Sequence, residues 1–151
     1  EFIASRGRGA QLNGHRIRVS NRYELRDTLI GTGIPFMGHC EEHLDWYVAT
    51  LSAVTSRSMG VRRCGSAALD LAYVAAGRLD GFWEIGLSPW DMAAGALLVR
   101  EAGGMIADLQ GGDSWYETGN IVCANRKLMR NLLPVIKMPA QDRIGDPNQS
   151  D

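Results

Sequence analysis

Three short stretches hold residue types whose spacing could do chemistry. Ser88-Pro89-Trp90-Asp91 reads as a helix start: Ser88 suits the N-cap, Pro89 the first helical position, and Asp91 the third. From there the Asp91 carboxylate can reach back to the Ser88 N–H and complete a capping box. A carboxylate has two oxygens, so Asp91 could offer the other to a hard cation such as Mg²⁺. Arg63-Cys64-Gly65-Ser66-Ala67-Ala68 is a second strand-to-helix joint. Its small residues let a ligand touch backbone, the helix start presents free N–H groups, and the Ser66 hydroxyl can donate or accept. The same residues also suit a plain N-cap on a buried, Ala-rich helix. Glu84 lies near the carboxyl end of the strand Gly81 to Ile85, where open α/β sheets bind ligands, and could hydrogen-bond substrate hydroxyls or simply be solvated.

Two other clusters carry less. His39-Cys40-Glu41-Glu42-His43 has soft-metal ligand types, but no second Cys/His pair stands at matching spacing, and Glu41-Glu42 reads as the acidic first turn of a helix. Cys64 has no histidine near it in sequence to activate a thiol and reads as a small filler.

The elements that must position these residues alternate. Glu1 to Ser5 reads as a strand, and Asn13-Gly14 favours a tight hairpin turn. Thr28 to Ile34 forms a strand closed by Gly33 and Pro35. From Glu41 to Arg57 the apolar residues Leu44, Tyr47, Val48, Leu51 and Val54 recur at helical spacing. Ser66 to Ala76 is a helix with Ala67, Leu71, Val74 and Ala75 inward, stopped at Gly77. Ser88 to Ala102 is a helix ended by Gly103-Gly104; Met105 to Leu109 and Asn120 to Ala124 are strands. Lys127 to Ile136 is a short helix broken or kinked at Pro134. Residues 138–151 are polar and read as a disordered tail. Strands alternating with helices predict an α/β layer, a mixed sheet of about five strands flanked by helices.

Composition sets the outer limits. The chain has 151 residues, 45% hydrophobic and 22% charged, which suits one globular domain. Sixteen Lys and Arg against 17 Asp and Glu leave no basic excess to neutralise a run of phosphates, so direct nucleic-acid binding is disfavoured. No apolar stretch approaches the ~20 residues of a membrane span, and no secretory signal opens the chain. Three well-separated cysteines argue against a disulfide framework and for a reducing, cytoplasmic setting. Glu1 to Ser5 begins in mid-strand without Met, as a cut chain would.

These stretches together resemble the inositol monophosphatase family, and within it the bacterial members described as extragenic suppressor proteins. The match runs through Gly65-Ser66-Ala67-Ala68-Leu69-Asp70-Leu71-Ala72, then Ala76-Gly77-Arg78-Leu79-Asp80-Gly81-Phe82-Trp83-Glu84. It continues through Trp90-Asp91-Met92-Ala93-Ala94-Gly95 and Arg100-Glu101-Ala102-Gly103-Gly104, and Gly7 to Gly14 matches the family's central hairpin. The resemblance implies Mg²⁺-dependent, lithium-sensitive hydrolysis of phosphate monoesters of inositol and related polyols. It implies Asp91 as a metal ligand and catalytic residue, Gly65, Ser66 and Ala67 as a substrate-contacting step, and Glu84 as the partner of inositol hydroxyls.

The family's remaining metal ligands sit in a Glu-Glu pair and a D-P-[IL]-D-G-T motif upstream of the hairpin, and neither is present. The chain therefore reads as a C-terminal half, catalytically inactive by itself. Residues 1–19 are expected to belong structurally to the other half, 20–137 to form the C-terminal α/β domain, and exposed apolar surface to drive homodimerisation. Competing readings are a non-catalytic, protein-binding role in RNA processing or transcription, and phosphatase action on fructose bisphosphate or nucleotides.

Overall fold

The computed structural model describes residues 1–137; the expected tail lies outside the described residues. A three-stranded antiparallel sheet comes first, with β1 (Phe2–Ser5), β2 (Gly9–Leu12) and β3 (His15–Ile17) in the order β1-β2-β3. Its β2–β3 turn places Asn13 and Gly14 both at positive φ, as the Asn-Gly pair predicts. A five-stranded mixed sheet follows, built from β4 (Leu29–Thr32), β5 (Gly60–Arg62), β6 (Gly81–Glu84), β7 (Met105–Ala107) and β8 (Ile121–Ala124). Its order is β5-β4-β6-β8-β7: β4 pairs parallel with β5 and β6, and β8 pairs antiparallel with β6 and β7.

Helices cover both faces of that sheet. α2 (Ala67–Ala75) and α3 (Pro89–Glu101) pack on one face, joining Leu71, Val74, Met92, Val99, Phe82 and Cys123 in a core. α1 (Leu44–Thr55) and α5 (Arg126–Ile136) cover the other, around Tyr47, Val54, Trp83, Leu128 and Leu132. A strand covered on both sides reads as a continuous apolar run, and Gly81-Phe82-Trp83 is one. Phe2, Ala4, Ile17 and Val19 of the small sheet pack against the α2/α3 core. Glu101, at the end of α3, clamps that sheet by accepting the N–H groups of Gly7 at 2.8 Å and Gly9 at 2.9 Å. Gly95 lets α2 and α3 approach closely, because a Cβ there would stand 2.5 Å from Leu71 Cβ.

The structure corrects four local expectations. Residues 41–57 are not one helix: Glu41–His43 is a 3-10 turn, and α1 begins at Leu44. Its inward stripe is Tyr47, Thr50 and Val54, while Leu44 and Val48 are exposed. Of the two outcomes expected at Pro134, a break does not occur: α5 continues to Ile136, with Pro134 lacking only the N–H that would reach the preceding turn. Cys64 is exposed and fills no core space. β5 and the short helix α4 (Trp115–Thr118) are additions to the expected elements.

Candidate active site

The parallel strands β4 and β6 end side by side, and the helices that follow on the α2/α3 face begin beside those ends. Along β6 side chains alternate, so Glu84 emerges on the same face as Phe82, toward α2 and α3. It stands beyond the last apolar residue of the strand, where a polar group can reach solvent. A pocket of about 390 Å³ opens there, lined by Gly33 to Phe36, His39, Arg63, Gly65 to Ala68, Glu84 to Ser88 and Asp91. All five residues singled out in the sequence, namely Gly65, Ser66, Ala67, Glu84 and Asp91, meet in this one cavity.

Each is held by its own element. Gly65 adopts φ +83°, which lets the chain turn from β5 into α2. Ser66 then caps α2, its Oγ accepting the Leu69 N–H at 3.3 Å. That contact leaves the Ser66 hydroxyl proton free to donate. Asp91 accepts the Ser88 N–H through Oδ2 at 3.0 Å, the carboxylate half of the predicted capping box. Its Oδ1 carries no hydrogen bond among the described residues. Capping and ligation are thus compatible, one oxygen for each.

Glu84 owes its position to a glycine across the sheet. A Cβ at residue 33 would overlap the Glu84 carboxyl where it stands, so glycine at the end of β4 leaves room for this placement of the side chain. Burial, and after it the negative charges of Asp70 and Asp91, push the Glu84 carboxyl up to about 7 against the opposing pull of Arg63. Near neutral pH this group is about half protonated and can accept or donate.

Asp70, on α2, is 1% exposed, and its Oδ1 has no hydrogen-bond partner. Burial drives it to about 6, with the Cys64 thiol as its hydrogen-bonding neighbour pulling the other way. Burial, Asp70 and the pull of the Arg62 charge act on Cys64 in turn, with a net rise that makes it a poor nucleophile.

Sequence reasoning missed Arg63, Gly33 and Asp70. Arg63, two residues before Gly65, carried a readable signal as a cation at a helix start facing an anion's place. Gly33 carried none, because its role exists only through cross-strand packing. Asp70, in Ala67 to Ala72, had the form of a solvated helix residue.

A hard divalent cation takes about six oxygens. Among the described residues no group of three or more His, Cys, Asp and Glu could hold a metal ion. Asp91 can supply one oxygen, and the like charge of Asp70, Glu84 and Asp91 around it would be relieved by a cation. By themselves these residues could offer oxygens to a hard cation but do not make a complete site.

Comparison with known proteins agrees with this geometry. The model of the inositol monophosphatase family matches residues 1–138. A Pseudomonas aeruginosa protein named Nus factor SuhB is 54% identical over 137 residues, covering 91% of this chain and 51% of that protein. A Mesorhizobium japonicum inositol-1-monophosphatase is 49% identical over 142 residues, covering 94% of this chain and 53% of its own length. The crystal structure of extragenic suppressor protein suhB from Bartonella henselae superposes with a TM-score of 0.85 at 47% identity, over 90% of this chain and 51% of that one. The chain spans about half the length of the curated relatives it matches.

Proposed function

The chain belongs to the inositol monophosphatase family, and from that premise we propose that the complete protein hydrolyses inositol monophosphate with Mg²⁺. The observation that carries this is the convergence of Glu84, Asp91 and the Gly65-Ser66-Ala67 step on one pocket beyond the strand ends. In this reading the amides at the start of α2 and the Ser66 hydroxyl contact the substrate, and Glu84 accepts hydrogen bonds from polyol hydroxyls. The Asp91 Oδ1 is this chain's contribution to the metal, whose other ligands come from outside these residues. Bound Mg²⁺ supplies activation of water and neutralisation of phosphate charge. Arg63 offers a fixed positive charge at the rim.

The same reading assigns residues 20–137 to a C-terminal α/β domain and residues 1–19 to a sheet shared with the rest of the protein. Exposed Trp90 beside Asp91, with Phe36 and Met37 on the neighbouring loop, supports coverage of this rim by another domain. No described helix is long and apolar enough to cross a membrane.

The test is phosphate release from inositol monophosphate by the complete protein and by the 151-residue chain, with Mg²⁺ and then with added lithium. We expect lithium-sensitive turnover from the first and none above background from the second. Fructose bisphosphate and nucleotide monophosphates belong in the same panel; a strong preference for either would replace inositol phosphate as the substrate. A second reading, a protein-binding role in transcription, is supported by the name Nus factor carried by the Pseudomonas relative. Absence of turnover on every phosphate ester, with capture of a transcription protein, would favour it.

A further inference from the structure

A second cavity lies at the other end of α3, about 20 Å along that 13-residue helix from the Asp91 pocket. It measures about 380 Å³ and is lined by Arg18 to Asn21, Ala102, Gly103 and Asn125 to Lys127. It shares no residue with the candidate active site. Three cations, Arg18, Arg126 and Lys127, meet there from two separate segments, and among the described residues no carboxylate lines the cavity.

Several of the chain's other arginines are engaged elsewhere. Arg26 pairs with Glu24, Arg57 donates to the Ala53 carbonyl, Arg78 lies over Tyr73 and Arg100 over Trp115. Among the described residues Arg18 and Arg126 have no ion pair and donate no side-chain hydrogen bond. A chain of net charge −1 has acids enough to spare, so three like charges around one concavity are a local excess.

The walls are also fixed. Asn125 Nδ2 donates to the Ser20 carbonyl at 2.9 Å and the Arg22 carbonyl at 2.7 Å, binding the Arg18 segment to the start of α5. Ser20 Oγ donates to Asp80, and the Val19 N–H to the Ala102 carbonyl. Lys127 Nζ is held 5.6 Å over the Tyr23 ring. The Arg18 guanidinium lies over Gly103, its Nη1 3.5 Å from where a Cβ would stand. These bonds fix the backbone that carries the three cations, so little main-chain entropy is lost when a ligand arrives.

We propose that this cavity is a second ligand site, for a compact polyanion carrying two or three phosphoryl groups. Guanidinium forks match phosphate oxygens, a volume near 380 Å³ falls within the ~300–1,000 Å³ range of small-molecule sites, and three cations balance a di- or triphosphate. A nucleic-acid backbone would need a longer basic track than one small, open concavity provides. This site does not rest on the phosphatase reading.

The experiment is calorimetric titration of the 151-residue chain with pyrophosphate, at low salt and without divalent cations. Saturable binding is expected, weakened about tenfold or more by Arg18→Glu and again by Arg126→Glu with Lys127→Glu. Ser66→Ala and Asp91→Asn, which alter the other pocket, should leave it unchanged. Amide NMR of the unmodified chain gives the same answer without any variant: Gly103, Asn21 and Lys127 should shift on titration. Affinity unaltered by the charge reversals, shifts confined to Gly65 and Ser66, or binding of an oligonucleotide without pyrophosphate would overturn the proposal.

Discussion

Replacing Glu84 by Gln should stabilise this chain at alkaline pH. Burial and two nearby carboxylates raise the Glu84 carboxyl from 4.5 to about 7. The fold therefore prefers the protonated form, and the unfolded chain releases its proton first as pH rises. Stability conferred by Glu84 is full below about pH 4.5, declines between about 4.5 and 7, and stays low above that. The span corresponds to about 3 kcal/mol at most, since each pH unit is worth about 1.4 kcal/mol. Gln keeps the shape and cannot ionise. At pH 8 the variant should gain about 2–3 kcal/mol, or roughly 5–10 °C in melting temperature for a chain of this size. At pH 4 the two proteins should melt together. Thermal unfolding at several pH values, without divalent cations, reads this directly. A gain of the same size at pH 4 and pH 8, or none at pH 8, would refute the view that Glu84 is a desolvated carboxylate among like charges.

Gly33→Ala drives a methyl into the Glu84 carboxyl, so it should cost about 1–3 kcal/mol in urea unfolding and abolish turnover in the complete protein; wild-type stability would mean that Glu84 swings aside freely. The chain alone should self-associate through β1, an edge strand with no partner beyond β2 among the described residues and with Ile3 exposed. Light scattering should show dimers that Ile3→Lys returns to monomers, and a concentration-independent monomer in the parent chain would contradict this.

How much was legible beforehand depended on whether a residue's role was local. α3 was readable because Ser88, Pro89, Asp91 and Gly103 punctuate it within one stretch, and the Ser88–Asp91 contact follows from spacing alone. The Gly65-Ser66 cap was readable for the same reason. β5 was not, because three residues too short for periodicity become a strand only by pairing with β4. The inward face of α1 was misread because Leu44 and Val48 lie at helical spacing yet face solvent, while Thr50 takes a buried place. At the site, identities were legible and environments were not. Glu84 could be placed at a strand end, but its half-protonated state follows from burial beside Asp70 and Asp91, and its very position from a glycine 51 residues earlier.

The central claim is that Asp91 serves two masters, one oxygen capping α3 and the other binding metal. Asp91→Asn in the complete protein separates them, because Asn keeps a side-chain acceptor for the Ser88 N–H and loses the charge. The measurement is Mg²⁺-dependent hydrolysis of inositol monophosphate by this variant, alongside its melting temperature. Our account predicts a loss of at least about 100-fold in turnover, roughly 3 kcal/mol in the barrier, with a capping loss at the low end of about 0.5–2 kcal/mol. Turnover near wild type, with or without a lower melting temperature, would show that Asp91 is a helix cap and not a metal ligand.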